Sequence, residues 1–250
     1  MSSTILIARK EAGDLLLSQR GLAWLLALAV ALSGFALLLV SNTELSLLDN
    51  AQVVYDMLGI VCALGALLAL IVGVDTIGGE RERGSLVPLL LVPASRDAIL
   101  LGKLGGVAIA WAIMYGLAMP YLWAVGSTGQ NLGQGAVLLA LLGTPVVLGF
   151  GFLGMTLGAW LASLRSALLA GLIVLLLSAS PLLLDASLRQ SAIGVAFDAV
   201  NPFSAALNAF DAVIIDSQAI LDQWDHIVVG FVWLALSLLL ARAGFRRVAR

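Results

Sequence analysis

Six long segments of this chain are almost entirely apolar, and polar or charged stretches separate them. Most are at least roughly 18 residues long, the length at which an α-helix can cross the ~30 Å hydrocarbon core of a bilayer. They lie at about residues 22–40, 57–74, 104–126, 136–162, 166–184 and 227–241. Hydrophobic residues make up 61% of the chain and charged residues 11%, against about 45–50% and about 25% in soluble domains. The sequence therefore predicts an all-α, polytopic integral membrane protein with six transmembrane helices in one domain, residues 1–250.

The basic residues are distributed unevenly between the two sides of the predicted helices. Six spans place both termini on one side, and twelve of the 13 lysines and arginines fall on that side. They are Arg9, Lys10, Arg20, Arg81, Arg83, Arg96, Lys103, Arg165, Arg242, Arg246, Arg247 and Arg250, with Arg189 alone on the other. Because loops rich in Lys and Arg stay in the cytoplasm, we expect cytoplasmic termini and a location in the inner, cytoplasmic membrane.

Residues 75–103, between the second and third predicted spans, form a charged island with four basic and four acidic side chains. Ionised side chains are costly in hydrocarbon, so the chain is expected to surface here. On the side that carries most of the basic residues, this island is the segment best suited to meet a cytoplasmic partner.

The N-terminal segment, residues 1–21, is predicted to be an interfacial helix. Ile5, Ala8, Ala12, Leu15 and Leu16 recur at close to helical spacing, and charged residues lie elsewhere on the wheel. Such a helix can lie flat in the plane of the inner leaflet. The alternative is a simple helical lead-in to the first span.

On the opposite side, residues 185–226 form the only long segment between spans. Asn201 and Pro202 predict a helix start, because Asn caps free backbone N–H groups and Pro suits the first helical position. An apolar stripe follows at helical spacing; it comprises Phe203, Ala206, Leu207, Phe210, Val213 and Ile214. We expect residues 193–215 to form two short helices that re-enter the outer leaflet, the alternative being an amphipathic helix on the outer surface.

Several of these stretches resemble permease subunits of type-2 ABC exporters. The resemblance rests on Ala8-Arg9-Lys10-Glu11, on the island, on the turn from Ser163 to Ser166 and on Asn201-Pro202. Within the island, Glu80, Gly84-Ser85, Pro93 to Arg96 and Leu101-Gly102-Lys103 carry it. The stretch AVNPFSAALNAF resembles permeases of the nitrous-oxide-reductase maturation type. Where those permeases have a run of acidic residues, Arg81 and Arg83 here alternate with Glu80 and Glu82.

The resemblance implies that the island is a coupling helix seated on a separate ATPase subunit. The residues assigned to coupling are Glu80, Arg81, Gly84, Ser85, Leu86, Pro93, Arg96 and Lys103, and the outer gate candidates are Asn201, Pro202, Phe203 and Phe210. The implied assembly is a homodimer of this chain with two copies of the ATPase, in membrane lipid. A substrate-binding partner on the outer face is an open alternative, and no nucleic acid partner is expected.

The chain lacks the usual signatures of a catalytic or ion-coupled protein. No Asp, Glu, Lys or Arg lies inside a predicted span, which disfavours a proton-coupled carrier. Gly102-Lys103 lacks the rest of an ATP-binding loop, so we expect a non-catalytic subunit without cofactor or metal, with ATP hydrolysis on another chain. An apolar path suits a lipidic, amphipathic or peptide-like substrate, or a mechanical role. The alternative function is a non-transporting scaffold or sensor that binds a cytoplasmic partner.

Overall fold

The computed structural model describes residues 3–41, 50–91, 95–126, 132–180 and 191–248, and every regular element within these ranges is a helix. The α-helices are α1 (Ser3–Leu17), α2 (Gln19–Ser41), α3 (Asn50–Val74), α4 (Glu80–Glu82), α5 (Leu86–Leu91), α6 (Arg96–Gly126), α7 (Leu132–Leu138), α8 (Thr144–Trp160), α9 (Leu164–Ser178), α10 (Ala192–Val200), α11 (Pro202–Phe210) and α12 (Trp224–Val248). Wider π-helical turns occupy Asp75–Gly79, Leu139–Gly143 and Asp211–Ile215.

Within the described ranges, five helical segments are long and apolar enough to cross a membrane. They are Gly21–Leu39, Ala51–Glu82, Arg96–Val125, Leu132–Trp160 and Ile220–Val248. The sequence placed the second span at 57–74, but that helix continues through the π-helical turn and α4 into the charged island. The predicted span at 166–184 corresponds to α9, which has 15 residues. It is shorter than a typical span, and residues 181–190 lie outside the described ranges, so a count of six remains a prediction.

The core forms around α8, which packs against α3 on one side and α12 on the other. Two glycines permit the contact with α3: a Cβ on Gly154 would lie 2.5 Å from the backbone oxygen of Leu70, and one on Gly158 would lie 2.8 Å from that of Val74. Their spacing, with three residues between small ones, is typical of close helix packing in membranes. Here it joins two helices of the same chain.

The first and last spans lie at the edge of the bundle. Of the residues in their most apolar windows, 22% are buried in each, against 67% in the segment that contains α3. Large apolar side chains such as Leu26, Leu37 and Leu239 are therefore exposed on the chain itself. These faces are suited to contact lipid or another membrane-embedded chain.

The N-terminal segment forms a helix of its own, but its contact face differs from the predicted stripe. Ser18 interrupts the helix and accepts a hydrogen bond from the N–H of Gly21, which caps the start of α2. α1 packs on α6 through Ile7, Ala8 and Glu11, whereas Ile5 is 53% exposed. The contact with α6 therefore includes Ile7 and Glu11, which lie outside the predicted apolar stripe, and Ala8, which belongs to it. Whether α1 lies along the membrane stays a prediction.

The outer segment contains the two short helices that the sequence predicted, α10 and α11. Asn201 accepts the N–H of Phe203 at 3.0 Å and donates its side-chain amide to the backbone oxygen of Ser178 at 2.8 Å. The cap therefore also fastens α11 to the end of α9. All six residues of the predicted apolar stripe are buried. The depth of these helices in the outer leaflet stays a prediction.

Candidate functional site

The charged island begins as a continuation of α3 and ends that helix with a glycine cap. Gly84 has a φ of +71°. Its N–H donates to the backbone oxygen of Arg81 at 3.1 Å, and the N–H of Ser85 donates to that of Glu80 at 3.0 Å. This is the Schellman pattern, in which a residue in the left-handed conformation lets the chain turn away and satisfies the last carbonyl groups. The sequence Gly84-Ser85 therefore fixes where the helix stops.

Glu80 lies at the centre of a buried ionic cluster. Its side chain is 5% exposed and accepts from two ammonium groups, that of Lys103 at 2.6 Å and that of Lys10 at 2.8 Å. Lys10 also lies 3.7 Å from both Glu11 and Asp14. We call Lys10, Glu11, Thr76, Glu80 and Lys103 the Glu80 cluster. It joins α1, the end of α3 and the start of α6.

Lys103 is among the largest fully buried side chains of the described residues. Its ammonium group has three donors and finds three acceptors: Glu80 at 2.6 Å, the backbone oxygen of Thr76 at 2.8 Å and Glu11 at 3.3 Å. Thr76 lies in the π-helical turn, a kind of helix irregularity that occurs frequently at functional sites. A buried lysine is tolerated only when it is paired and hydrogen-bonded, and this one is fully satisfied.

Close backbone contact between α1 and α6 brings the cluster together. A Cβ on Gly102 would lie 2.6 Å from the Cβ of Ile7, and one on Gly106 would lie 2.5 Å from that of Glu11. Glycine at both positions lets α1 approach α6 closely enough for Glu11 to reach Lys103. Although partial burial lowers the pKa of Lys10, its hydrogen bond to Glu80 and the neighbouring carboxylates raise it more. The pKa lies above its ordinary value, so Lys10 is protonated at neutral pH.

Arg81 and Glu82 bind the turn between α8 and α9. The guanidinium group of Arg81 donates to the backbone oxygens of Ala159 and Leu161, at the C-terminus of α8. The carboxylate of Glu82 accepts the N–H of Leu164, the first residue of α9, at 2.6 Å. A cation at a helix C-terminus and an anion at a helix N-terminus both oppose the helix dipole favourably. Ser163 caps the same start of α9 through the N–H of Ser166 at 3.1 Å.

Arg83 completes the set by pairing with Asp75, one residue after α3 ends; the two side chains form two hydrogen bonds of 3.1 and 3.2 Å. The alternation of Glu80, Arg81, Glu82 and Arg83 thus has a structural reason. These four successive charged residues contact four different groups of the chain. Each charge lies against an opposite charge or an oppositely polarised helix end.

The other residues assigned to coupling are divided between surface and interior. Gly84, Ser85 and Arg96 are exposed, whereas Leu86 is buried. Ser95 caps α6 by accepting the N–H of Ala98 at 3.2 Å. Pro93 lies outside the described residues. The structure therefore separates residues able to touch a partner from those that hold the island to the bundle.

A cavity of about 510 Å³ lies beside the Glu80 cluster, between α1, α2, α3 and α9. Its lining includes the charged side chains of Lys10, Asp14, Asp75, Glu80 and Arg83. Apolar side chains also line it; they include Trp24, Ile71, Val72, Leu164 and Leu168. Sequence reasoning did not find this cavity or the pairing of Lys10 with Glu80, because the contributing residues are distant along the chain. The presence of Lys10 and Glu11 in the N-terminal motif was the only available signal.

The outer gate candidates lie within the packed bundle. Phe203 and Phe210 are fully buried. The ring of Phe203 is centred 5.4 Å from that of Phe150 on α8, and Phe150 lies 5.1 Å from Trp233 on α12. Asn201 and Pro202 are also buried. The aromatic contacts link the outer helix α11 to α8 and, through Phe150, to α12, and a gating role remains a prediction.

No group of three or more His, Cys, Asp and Glu residues in the described ranges is arranged to hold a metal ion. The fold and the position of the charged cluster define a helical, multi-pass membrane protein with a tightly anchored charged segment between two of its spans. The chain belongs to the ABC-2 family of transporter proteins, whose family model matches residues 5–249.

Two curated relatives carry the name probable ABC transporter permease protein NosY. The one from Stutzerimonas stutzeri is 35% identical over 113 residues, which cover 44% of this chain and 41% of the relative. The one from Pseudomonas aeruginosa PAO1 is 33% identical over 161 residues, covering 54% of this chain and 56% of the relative. The matched stretch thus spans about half the length of these relatives.

Proposed function

We propose that this chain is the membrane-spanning permease subunit of an ATP-driven exporter, and that it receives the motion of a separate ATPase through the charged island. One observation carries the proposal: Glu80, Arg81 and Glu82 tie the end of α3 to α1, α6, α8 and α9. Force applied to residues 83–95 therefore reaches four other helices through short polar contacts. The two NosY relatives, named as ABC transporter permeases, support the same function.

The coupling residues divide into two roles under this proposal. Gly84 and Ser85 are exposed and contact the ATPase, as does Pro93; Arg96, the first residue of α6, is exposed as well. Glu80, Arg81 and Lys103 transmit the motion, because their partners belong to other helices, and Leu86 is buried. A rigid link needs well-satisfied contacts, and a half-satisfied buried network would be weak. The network around Lys103 meets that requirement.

The proposed assembly is a homodimer of this chain with two ATPase subunits, in the inner membrane and with both termini in the cytoplasm. The exposed apolar faces of α2 and α12 leave room for a second copy or for lipid. The largely apolar bundle suits a lipidic, amphipathic or peptide-like substrate, or a mechanical action on an outer-face partner. Under this proposal Phe203 and Phe210 form the outer gate, because α11 is linked to α8 and α12 through Phe150.

The test is to co-express the chain with an ABC-transporter ATPase subunit of the same organism and to purify the complex. Ser85→Arg places a large cation on the exposed turn and should reduce co-purification. Glu80→Gln should leave co-purification intact but lower ATPase stimulation or transport, because its effect is on transmission. Asp14→Asn is the matched control, since the Asp14 side chain is 66% exposed and 3.7 Å from Lys10. It should alter neither co-purification nor ATPase stimulation and transport.

If Ser85→Arg and Glu80→Gln both leave association, hydrolysis and transport unchanged, the island is not the coupling element. A chain that binds a cytoplasmic partner without any dependence on ATP would instead be a scaffold or sensor.

A further inference from the structure

A second cavity, of about 420 Å³, lies between the start of α6 and the end of α12, and we call it the arginine cavity. Its lining consists of Ser95, Arg96, Asp97, Leu100, Phe245 and Arg246. Leu100 and Phe245 are 4% and 2% exposed and form an apolar floor. The charged side chains are exposed around it. The volume far exceeds the roughly 30 Å³ that one water occupies in the liquid, so it accommodates a chemical group rather than a single solvent molecule.

The charge of this cavity is positive. Asp97 is matched by Arg242, whose guanidinium lies 3.6 Å from its carboxylate. Arg96 and Arg246, in contrast, form no ion pair with any carboxylate of the described residues. Arginine presents a planar set of donors that binds phosphate through two bonds at once. The N-terminal end of α6 adds a favourable dipole for an anion.

Apolar surface continues from the cavity toward the middle of the bundle. Leu239, Arg242 and Arg246 lie on one stripe of α12, at i, i+3 and i+7, and Leu239 is 61% exposed. On α6, Leu101 lies one turn beyond Asp97 and is 57% exposed. A phospholipid has an anionic headgroup and apolar acyl chains. The two arginines suit the headgroup, and the exposed leucines suit the acyl chains. A soluble anion would contact only the arginines and would leave the leucines exposed.

We propose that the arginine cavity binds the phosphate of an anionic phospholipid, with Arg96 and Arg246 as its two ligands and Leu101 and Leu239 against its acyl chains. Basic pockets between transmembrane helices on the cytoplasmic side are suited to such headgroups. The lipid bridges the first turn of α6, which leaves the charged island, and the last turn of α12. This site does not depend on an ATPase, so it is measurable even where the proposed transport function fails.

The test uses the purified full chain in neutral detergent. Phosphatidylglycerol is titrated against it, and retained lipid is counted by native mass spectrometry. Binding should be saturable for phosphatidylglycerol and much weaker for phosphatidylcholine, whose headgroup carries no net charge. Arg246→Gln should weaken the affinity about fivefold, since one basic residue near a membrane surface contributes about 1 kcal/mol. Arg247→Gln is the matched control: Arg247 is the next residue and equally exposed but does not line the cavity.

Arg247→Gln should change the affinity less than twofold. If Arg246→Gln does not fold, Arg96→Gln removes the other ligand and carries the same expectation. Equal losses in Arg246→Gln and Arg247→Gln would overturn the proposal, because they would indicate attraction to total charge rather than a site. Equal retention of phosphatidylcholine would also overturn it. Displacement of the lipid by millimolar inorganic phosphate would assign the cavity to a soluble phosphate and refute the lipid assignment.

Discussion

Replacing Lys103 by methionine is the sharpest perturbation of the Glu80 cluster. The change keeps an unbranched side chain, one atom shorter, but removes the ammonium group from a site that is 0% exposed. Glu80 then remains buried with Lys10 alone, and the backbone oxygen of Thr76 loses the donor that lies 2.8 Å from it. Removing one member of a buried ion pair typically costs about 3–5 kcal/mol, because the other charge is left uncompensated.

Lys10 still neutralises part of the charge on Glu80, so we expect the lower end, about 3 kcal/mol of the free energy of unfolding. For a chain of this size that corresponds to a melting temperature about 6–12 °C lower. The assay is thermal unfolding of the purified chain in detergent. Lys10→Met is the matched control: it removes the same group from the same carboxylate, but the Lys10 side chain is 52% exposed. It should cost less than about 1 kcal/mol.

A double variant tests the mechanism itself. Glu80→Gln combined with Lys103→Met removes both charges of the buried pair, and such replacements are often nearly neutral. The double variant should therefore be more stable than Lys103→Met alone. If Lys103→Met melts within 2 °C of the parent chain, or if the two substitutions destabilise additively, the pair does not hold α3 and α6 together as argued.

Two further predictions concern orientation and the outer helix. In a Cys62→Ser background, Ser217→Cys should react with an impermeant thiol reagent in intact cells and Ser95→Cys should not, because twelve basic residues mark the side of Ser95 as cytoplasmic; labelling of Ser95→Cys from outside would reverse the topology. Phe210→Ala removes a fully buried ring and should cost about 3–5 kcal/mol. If Phe210 gates the exit, the intact complex should also show altered ATPase activity well below its melting temperature. Unchanged activity in the intact complex would leave Phe210 with a packing role alone.

Features that depend on neighbouring residues could be predicted from the sequence. Long apolar runs determine transmembrane helices because every backbone polar group in lipid must be satisfied within the segment. Asn201-Pro202 starts α11 for an equally local reason, since the Asn side chain reaches the N–H of Phe203 two residues ahead. The burial of the stripe from Phe203 to Ile214 follows from its helical spacing.

Helix ends were harder to predict, because hydropathy does not register where a helix stops. Charged residues were expected to end the second span near residue 74, yet the helix continues to Glu82. It does so because each charge of that final turn finds a partner elsewhere in the chain. The contact of α1 with α6 was also not predicted, because it depends on glycines of α6 that leave space for Ile7 and Glu11.

The sequence by itself determined that this chain is a helical membrane protein of the ABC-2 type. It also indicated a charged island between two spans and a pair of short helices before the last span. Only the tertiary structure determined which partners the charged side chains of the island contact. Glu80 is 70 residues from Lys10, and Glu82 is 82 residues from Leu164. Contacts over such separations depend on how α1, α6, α8 and α9 pack around α3, and that packing is set by side-chain shape and close glycine contacts, which no local pattern encodes.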